Sequence, residues 1–185
     1  MDTVILLGQL SLALNLIIRM ADEADIRALE WHGQFWHFRG LFERSYQEML
    51  AGRRLLLVAD LDGYPVARLF IQLAAGHPRY ADGSERAYLY SLHVMPPLQG
   101  LGIGTSLLTA AERLLVERGF RWASIAAAKD NPRARALYER LGYHVIAENP
   151  GKWSYTDPDG MVHHVDEPSW ILGKELAPRG QYRTG

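Results

Sequence analysis

Apolar residues along this chain fall into short runs whose period changes several times. Leu16 to Met20 is a β-prone run, and Ile26 and Leu29 then recur at helical spacing behind an acidic first turn. That pattern predicts a strand followed by a helix. Phe35, Phe38, Phe42 and Met49 continue at steps compatible with one or two helices across 31–50. In "RRLLLVADLDGYPVARLFIQL" the pair Asp62-Gly63 separates two apolar runs, and because it tolerates the positive φ of a tight turn it predicts an antiparallel hairpin. "AYLYSLHVM" (87–95) is aromatic and β-branched enough for a central strand that stops at Pro96-Pro97.

Beyond those prolines, Ile103, Leu107, Leu108, Ala111, Leu114 and Leu115 repeat on one helical face until Gly119, a residue suited to the position just past a helix end. "FRWASIAAA" predicts a strand. Asn131-Pro132 opens the next helix as N-cap and first helical residue, and Gly142 closes it. "YHVIAE" returns as a strand, "KWSYTDPDGMVHHV" reads as a second hairpin turning at Asp159-Gly160, and "SWILGKEL" supplies a last strand. The economical assembly is a mixed α/β sheet of about six or seven strands flanked by about four helices.

Length and charge narrow the reading. At 185 residues and 48% hydrophobic content, the chain suits one domain with a substantial core. Lys and Arg total 20 against 21 Asp and Glu, so no basic field draws a nucleic acid to the surface. The absence of cysteine excludes disulfides, thiolate metal sites and a cysteine nucleophile, and fits a reducing compartment. "VILLGQLSLALNLII" (4–18) is too short to span a bilayer, is interrupted by Gln9, Ser11 and Asn15, and has only Asp2 where a signal peptide carries Lys or Arg. We read residues 1–15 as a packed or upstream extension, 16–176 as the domain, 177–185 as a polar tail, and the protein as cytoplasmic, without a membrane partner.

The chemistry centres on "PPLQGLGIGTSLL" (96–108), where Gly100, Gly102 and Gly104 alternate ahead of a helix. A nucleotide triphosphatase loop needs Lys after the last glycine, and Thr105-Ser106 follows instead. A dinucleotide fingerprint needs a third glycine where Leu107 stands. Alternating glycines at a strand-to-helix junction still leave backbone N–H groups free for an anion, with the helix dipole adding positive charge. A plain turn using glycine for its backbone freedom is the alternative.

The neighbouring residues favour the anion. Val94-x-Pro96-x-x-Gln99-Gly100-x-Gly102-Ile103-Gly104 resembles the acyl-coenzyme A loop of the GNAT superfamily of N-acetyltransferases, and Asn131-x-x-Ala134-x-x-Leu137-Tyr138 with Gly142-Tyr143 resembles that family's downstream pattern. The close match covers about 87–147. The resemblance implies the GNAT-type acyltransferase fold, acetyl-coenzyme A as the acyl donor, and loop amides from Gln99 through Gly100, Leu101, Gly102, Ile103 and Gly104 to Thr105 on its pyrophosphate. It implies pairing of the pantetheine arm with the strand backbone at His93 and Val94. Gln99 stands where the family often has Arg, with a side chain still able to bond a phosphate oxygen. Tyr138 would protonate the leaving thiolate, since a phenol with pKa about 10 stays protonated at neutral pH. Asn131, two helical turns before it, can face the same side while also capping the helix.

The transferred proton is harder to place. An alkyl ammonium with pKa about 10.4 must lose a proton before it attacks. Tyr88 and Tyr90 are not bases at pH 7, and strict strand alternation puts His93 on the opposite face from both, so a water relay is expected instead. A backbone N–H near Val94 would meet the developing oxyanion. The resemblance places the acceptor against "WHGQFWHFR" and the second hairpin, where Trp31, Phe35, Trp36, Trp153, Tyr155 and several histidines offer an aromatic wall. His163 and His164 are adjacent, point to opposite strand faces, and make no metal site. Arg133 and Arg135 lie within reach of an adenosine 3′-phosphate, but positive residues on a helix surface are usually just solvated, and neither is taken as a site residue.

The resulting expectation is a direct acetyl transfer to a primary amine of a small molecule or peptide by a monomer or homodimer. A non-catalytic acyl-coenzyme A sensor is the alternative, and the same enzyme acting with a longer or acidic acyl group is a third.

Overall fold

The computed structural model describes residues 15–74 and 80–176. The N-terminal stretch 1–14 and the tail 177–185 lie outside the described residues, as does part of the polar loop before the central strand. Leu16–Met20 forms β1, Glu23–Ala28 forms α1, a 3-10 turn spans Trp36–Phe38, and Arg39–Leu50 forms α2. The hairpin follows as β2 (Arg54–Leu61) and β3 (Tyr64–Gln72), and the central strand β4 runs over Arg86–Val94. Ile103–Glu117 is α3, Trp122–Ala128 is β5 and Pro132–Arg140 is α4. His144–Asn149 (β6), Lys152–Thr156 (β7), Val162–Asp166 (β8) and Ser169–Glu175 (β9) complete the chain.

Local signals set these boundaries. Asp62 at φ 51° and Gly63 at φ 89° make the predicted hairpin turn, and the Asp60 carboxylate accepts from the Gly63 amide at 2.6 Å. Asp22 and Asp25 form a capping box at the start of α1. Asn131 caps α4, its side-chain oxygen accepting from the Ala134 amide at 3.0 Å.

Seven strands form one sheet in the order β1-β2-β3-β4-β5-β9-β6, and β7 pairs with β8 as a separate hairpin. β4 and β5 are parallel neighbours, while the other pairs in the large sheet are antiparallel. The sheet is covered on both sides. Leu107, Leu108, Ala111 and Leu115 of α3 pack with Leu57, Leu69, Ile71 and Leu89 on one face, whereas Ile26, Leu29 and Phe42 pack with Leu56, Val58 and Phe70 on the other. This explains why β2 and β3 read as nearly unbroken apolar runs: each is buried front and back.

Two irregularities of β4 prepare a site. Its pairing with β5 runs only from Arg86↔Trp122 to Leu89↔Ile125, after which β4 continues with β3 and β5 continues with β9, so the two parallel strands part. Against β3, the register shifts between Arg68 and Phe70: Tyr90 pairs with Phe70 and His93 with Arg68, leaving Ser91 and Leu92 opposite Leu69 alone. Ser91 takes φ 54°, a left-handed conformation at the heart of this β-bulge.

Candidate active site

The opening between β4 and β5 is lined by backbone before it is lined by side chains. Met95 donates its amide to Val66 of β3 at 2.9 Å, so by the alternation of a strand the Val94 amide points away from β3 and into the opening. At the end of β4 the chain makes a short 3-10 turn at Pro96–Leu98 and enters the glycine loop. Gly100 and Gly102 take φ 85° and 84°, and Gly102 is the residue from which α3 starts. Residues with a Cβ rarely adopt this conformation, and two glycines holding it in three positions curl the loop into the helix start.

None of the amides from Gly100 to Thr105 donates to a described group, and the first bond of α3 is Ser106 to Gly102 at 3.0 Å. Ile103 is buried and anchors the helix start, while Leu101 stands 70% exposed at the loop tip. A Cβ built on Gly104 would lie 3.8 Å from Val94, 3.9 Å from Leu137 and 4.0 Å from Leu92, so the loop, β4 and α4 converge there. The Gln99 side chain does not point free for a phosphate as expected. Its amide donates to the Val94 carbonyl at 3.0 Å and fastens the loop to the end of β4. Arg133 reaches over the loop, its guanidinium 3.9 Å from where a Cβ of Gly100 would be, whereas Arg135 pairs with Glu139 at 2.8 Å.

Tyr138 sits on α4 with 5% exposure. Burial raises its phenol above the ordinary value, with Tyr88 adding to the shift, so the hydroxyl keeps its proton throughout the neutral range. Tyr88 is pushed up to about 12, first by burial and then by Tyr80, Tyr90 and the Glu167 carboxylate.

The bulge overturns the expected orientation of His93. Before it, Ala87 and Leu89 face α3 and Tyr90 faces α2; after it, Leu92 and Val94 face α3 and His93 turns to the other side. His93 therefore shares a face with Tyr90, and its ring meets Phe35 edge-on at 5.3 Å. The residue nonetheless keeps part of its surface exposed. Burial of the rest and the nearby Arg68 charge hold its pKa low, at about 4.

A wall of rings continues from there. Phe35 is 6.3 Å from Phe38, Phe38 lies 4.8 Å from Tyr155 and 6.3 Å from Trp153, and Tyr155 stacks on His163 at 4.9 Å. Phe35, Trp153 and Tyr155 thus come together as expected from the sequence. Trp31 instead lies in the core, its indole N–H donating to Pro65 at 2.9 Å, and Trp36 stands 37% exposed outside the ring contacts of the described residues. His37 and His163, among the histidines those segments were expected to bring, join the wall, and so does Phe38, read from the sequence only as a helix residue, since the folding of β7 and β8 over the 3-10 turn brings them together. His163 is held by Asp157 at 2.7 Å.

Comparison with known proteins follows the same lines. The acetyltransferase (GNAT) family model matches residues 20–143. The chain is 26% identical over 124 residues to mycothiol acetyltransferase of Saccharomonospora viridis, covering 66% of this chain and 40% of that protein. With mycothiol acetyltransferase of Clavibacter sepedonicus it is 37% identical over 93 residues, 50% of this chain and 28% of that one. The chain thus spans less than half the length of either relative. Among solved structures, the ribosomal-protein-S18-alanine N-acetyltransferase from Escherichia coli superposes with a TM-score of 0.66 at 22% identity, covering 92% of this chain and all of its own. Arabidopsis thaliana NAA60 in complex with acetyl-CoA superposes at 0.64 and 17% identity, covering 88% and 99%. The parted strands, the glycine loop between them and the family match over most of the chain lead to one statement: this protein belongs to the GNAT family of acetyltransferases.

Proposed function

We propose that the chain transfers an acetyl group from acetyl-coenzyme A directly to a primary amine of a small molecule or peptide. The observation that carries this reading is the opening where β4 and β5 part after Leu89 and Ile125, with free loop amides at one end and Tyr138 on the helix whose Leu137 meets that loop. The amides from Gly100 to Thr105, and Arg133 above them, hold the pyrophosphate. The exposed edge of β4 at Val94 aligns the pantetheine arm as an added strand would, whereas the same alternation turns the His93 backbone, expected to share that role, toward Arg68 of β3.

The residues then divide the proton traffic. The Val94 amide donates to the acetyl oxygen as negative charge grows there when the amine nitrogen attacks the carbonyl carbon. Tyr138 delivers its proton to the sulfur as the carbon–sulfur bond breaks, and recovers one from the protons released by the amine. His93, turned to the acceptor face by the bulge, is an uncharged imidazole that a water can use to carry those protons to solvent. No acyl-enzyme is needed, and the chain has no cysteine to form one.

Calorimetric titration with acetyl-coenzyme A, coenzyme A and dephospho-coenzyme A, followed by a thiol-release screen of amines, tests the proposal. We expect the acetyl form to bind and at least one amine to release thiol. Tyr138→Phe should keep the affinity for acetyl-coenzyme A while turnover falls by about 10²-fold or more. Binding without turnover for any amine would favour the sensing module, and absence of binding would make the glycine loop only a turn.

A further inference from the structure

Arg68, on β3, is 1% exposed and heads the largest fully buried side chains of the molecule. Arg19, Arg39 and Arg54 each meet a carboxylate: Asp25 and Asp60, Glu30, and Glu48 respectively. Arg68 meets none among the described residues. Its hydrogen bonds go to the Ser91 hydroxyl at 3.2 Å and the Leu29 carbonyl at 3.4 Å, and its guanidinium lies 4.2 Å from the Phe35 ring and 4.9 Å from those of Trp31 and Phe42.

Burial alone acts on its charge, lowering the pKa to about 9, so it is a cation at neutral pH. Aromatic faces relieve part of the cost of a buried cation, but a guanidinium carries five N–H donors, and a charge out of water calls for an anion.

The position of this charge matters for the acceptor. Arg68 pairs in register with His93, and Phe35 touches both. An amine arriving as ammonium meets this cation at the foot of the ring wall. Glu167 acts on Tyr88, Glu48 on Tyr90, Asp157 is held by His163, and Glu30, next to Leu29, is held by Arg39, so among the described residues no carboxylate pairs with Arg68. A polycationic amine is therefore repelled, and an acceptor that brings its own anion is drawn in. Reaching the guanidinium requires Phe35 to shift, and Trp31 and His32, just before it at φ 45° and 57°, hold that segment in left-handed conformations that side chains rarely adopt.

Resting on the acetyltransferase reading above, we infer that the acceptor is an amino-acid-like molecule whose carboxylate is received at Arg68 beside Phe35 and His93. Its apolar or aromatic body lies along Phe38, Tyr155 and Trp153. Arg68 is then the specificity determinant of the acceptor site.

Titrating the coenzyme A-saturated protein with N-acetyl-L-phenylalanine and with its carboxamide separates charge from shape. We expect the acid to bind about tenfold tighter or better, with the preference lost in Arg68→Gln, retained in part in Arg68→Lys, and the polycation spermidine failing to compete. Equal affinity, a preference for the carboxamide, binding of neither, or a preference intact in Arg68→Gln would each overturn the inference and leave acetyl transfer standing. Failure of coenzyme A itself to bind would remove both. The wild-type comparison holds whether or not Arg68→Gln folds.

Discussion

Ser91 and His93 show how one residue in a left-handed conformation decides the chemistry of a strand. Without the bulge at Ser91, His93 would face α3 and the core; with it, the imidazole reaches the ring wall. Its depressed pKa has a measurable consequence. Side-chain NMR should show His93 uncharged until the pH approaches about 4, while an unperturbed histidine charges near pH 6.5. Between those values the unfolded chain binds a proton that the folded chain refuses, so stability should fall as pH is lowered through this window. A His93 titrating at its ordinary value would mean that neither burial nor Arg68 bears on it. Nothing in "YSLHV" signals the bulge, since a serine at φ 54° has no glycine to mark it. Arg68 was equally hidden, because a lone arginine inside a hairpin strand reads as an edge charge until both faces of that strand are covered.

The glycine loop is an element whose conformation was visible in the chain. Gly100 and Gly102 adopt the left-handed angles that an alternating-glycine turn into a helix requires, and α3 begins at Ile103. Nothing crowds a Cβ at Gly102, so Gly102→Ala tests conformation without a clash. The substitution should cost about 1–2 kcal/mol of stability by denaturant titration, and weaken coenzyme A binding if the free amides are what hold it. Unchanged stability and affinity would mean that the loop does not need this angle. Gln99 was less legible. Its side-chain amide donates to the Val94 carbonyl at the end of β4, a contact set by how the loop folds back and not by any local signal. The same holds for the β7–β8 hairpin, whose strands were predicted but whose landing on Phe38 was not, because packing between distant segments leaves no local periodicity.

At the scale of the molecule, the sheet separates two apolar clusters, and the larger one carries α3 beneath the loop that starts it. Leu107, in the second turn of that helix, is fully buried against the sheet. Leu107→Ala should destabilise the protein by about 2–5 kcal/mol, read from the midpoint of urea unfolding, because the close-packed neighbours cannot fill the space. A cost well under that range would mean that α3 packs loosely and that the loop is not set by its helix. No helix among the described residues is long and apolar enough to cross a membrane.

The sequence by itself determined the elements, the turns and the loop, because each depends on residues near in the chain: glycine where φ is positive, asparagine where a helix needs a cap, alternating or unbroken apolar runs where a strand is covered on one face or two. It also carried the family, through two motifs held at fixed separation. Only the tertiary structure decided where β4 and β5 part, which face His93 takes after the bulge, and that Arg68 lies buried with no carboxylate partner among the described residues. Those outcomes depend on strand register and on segments tens of residues apart, whose partners are chosen by the folded packing and not by any local preference.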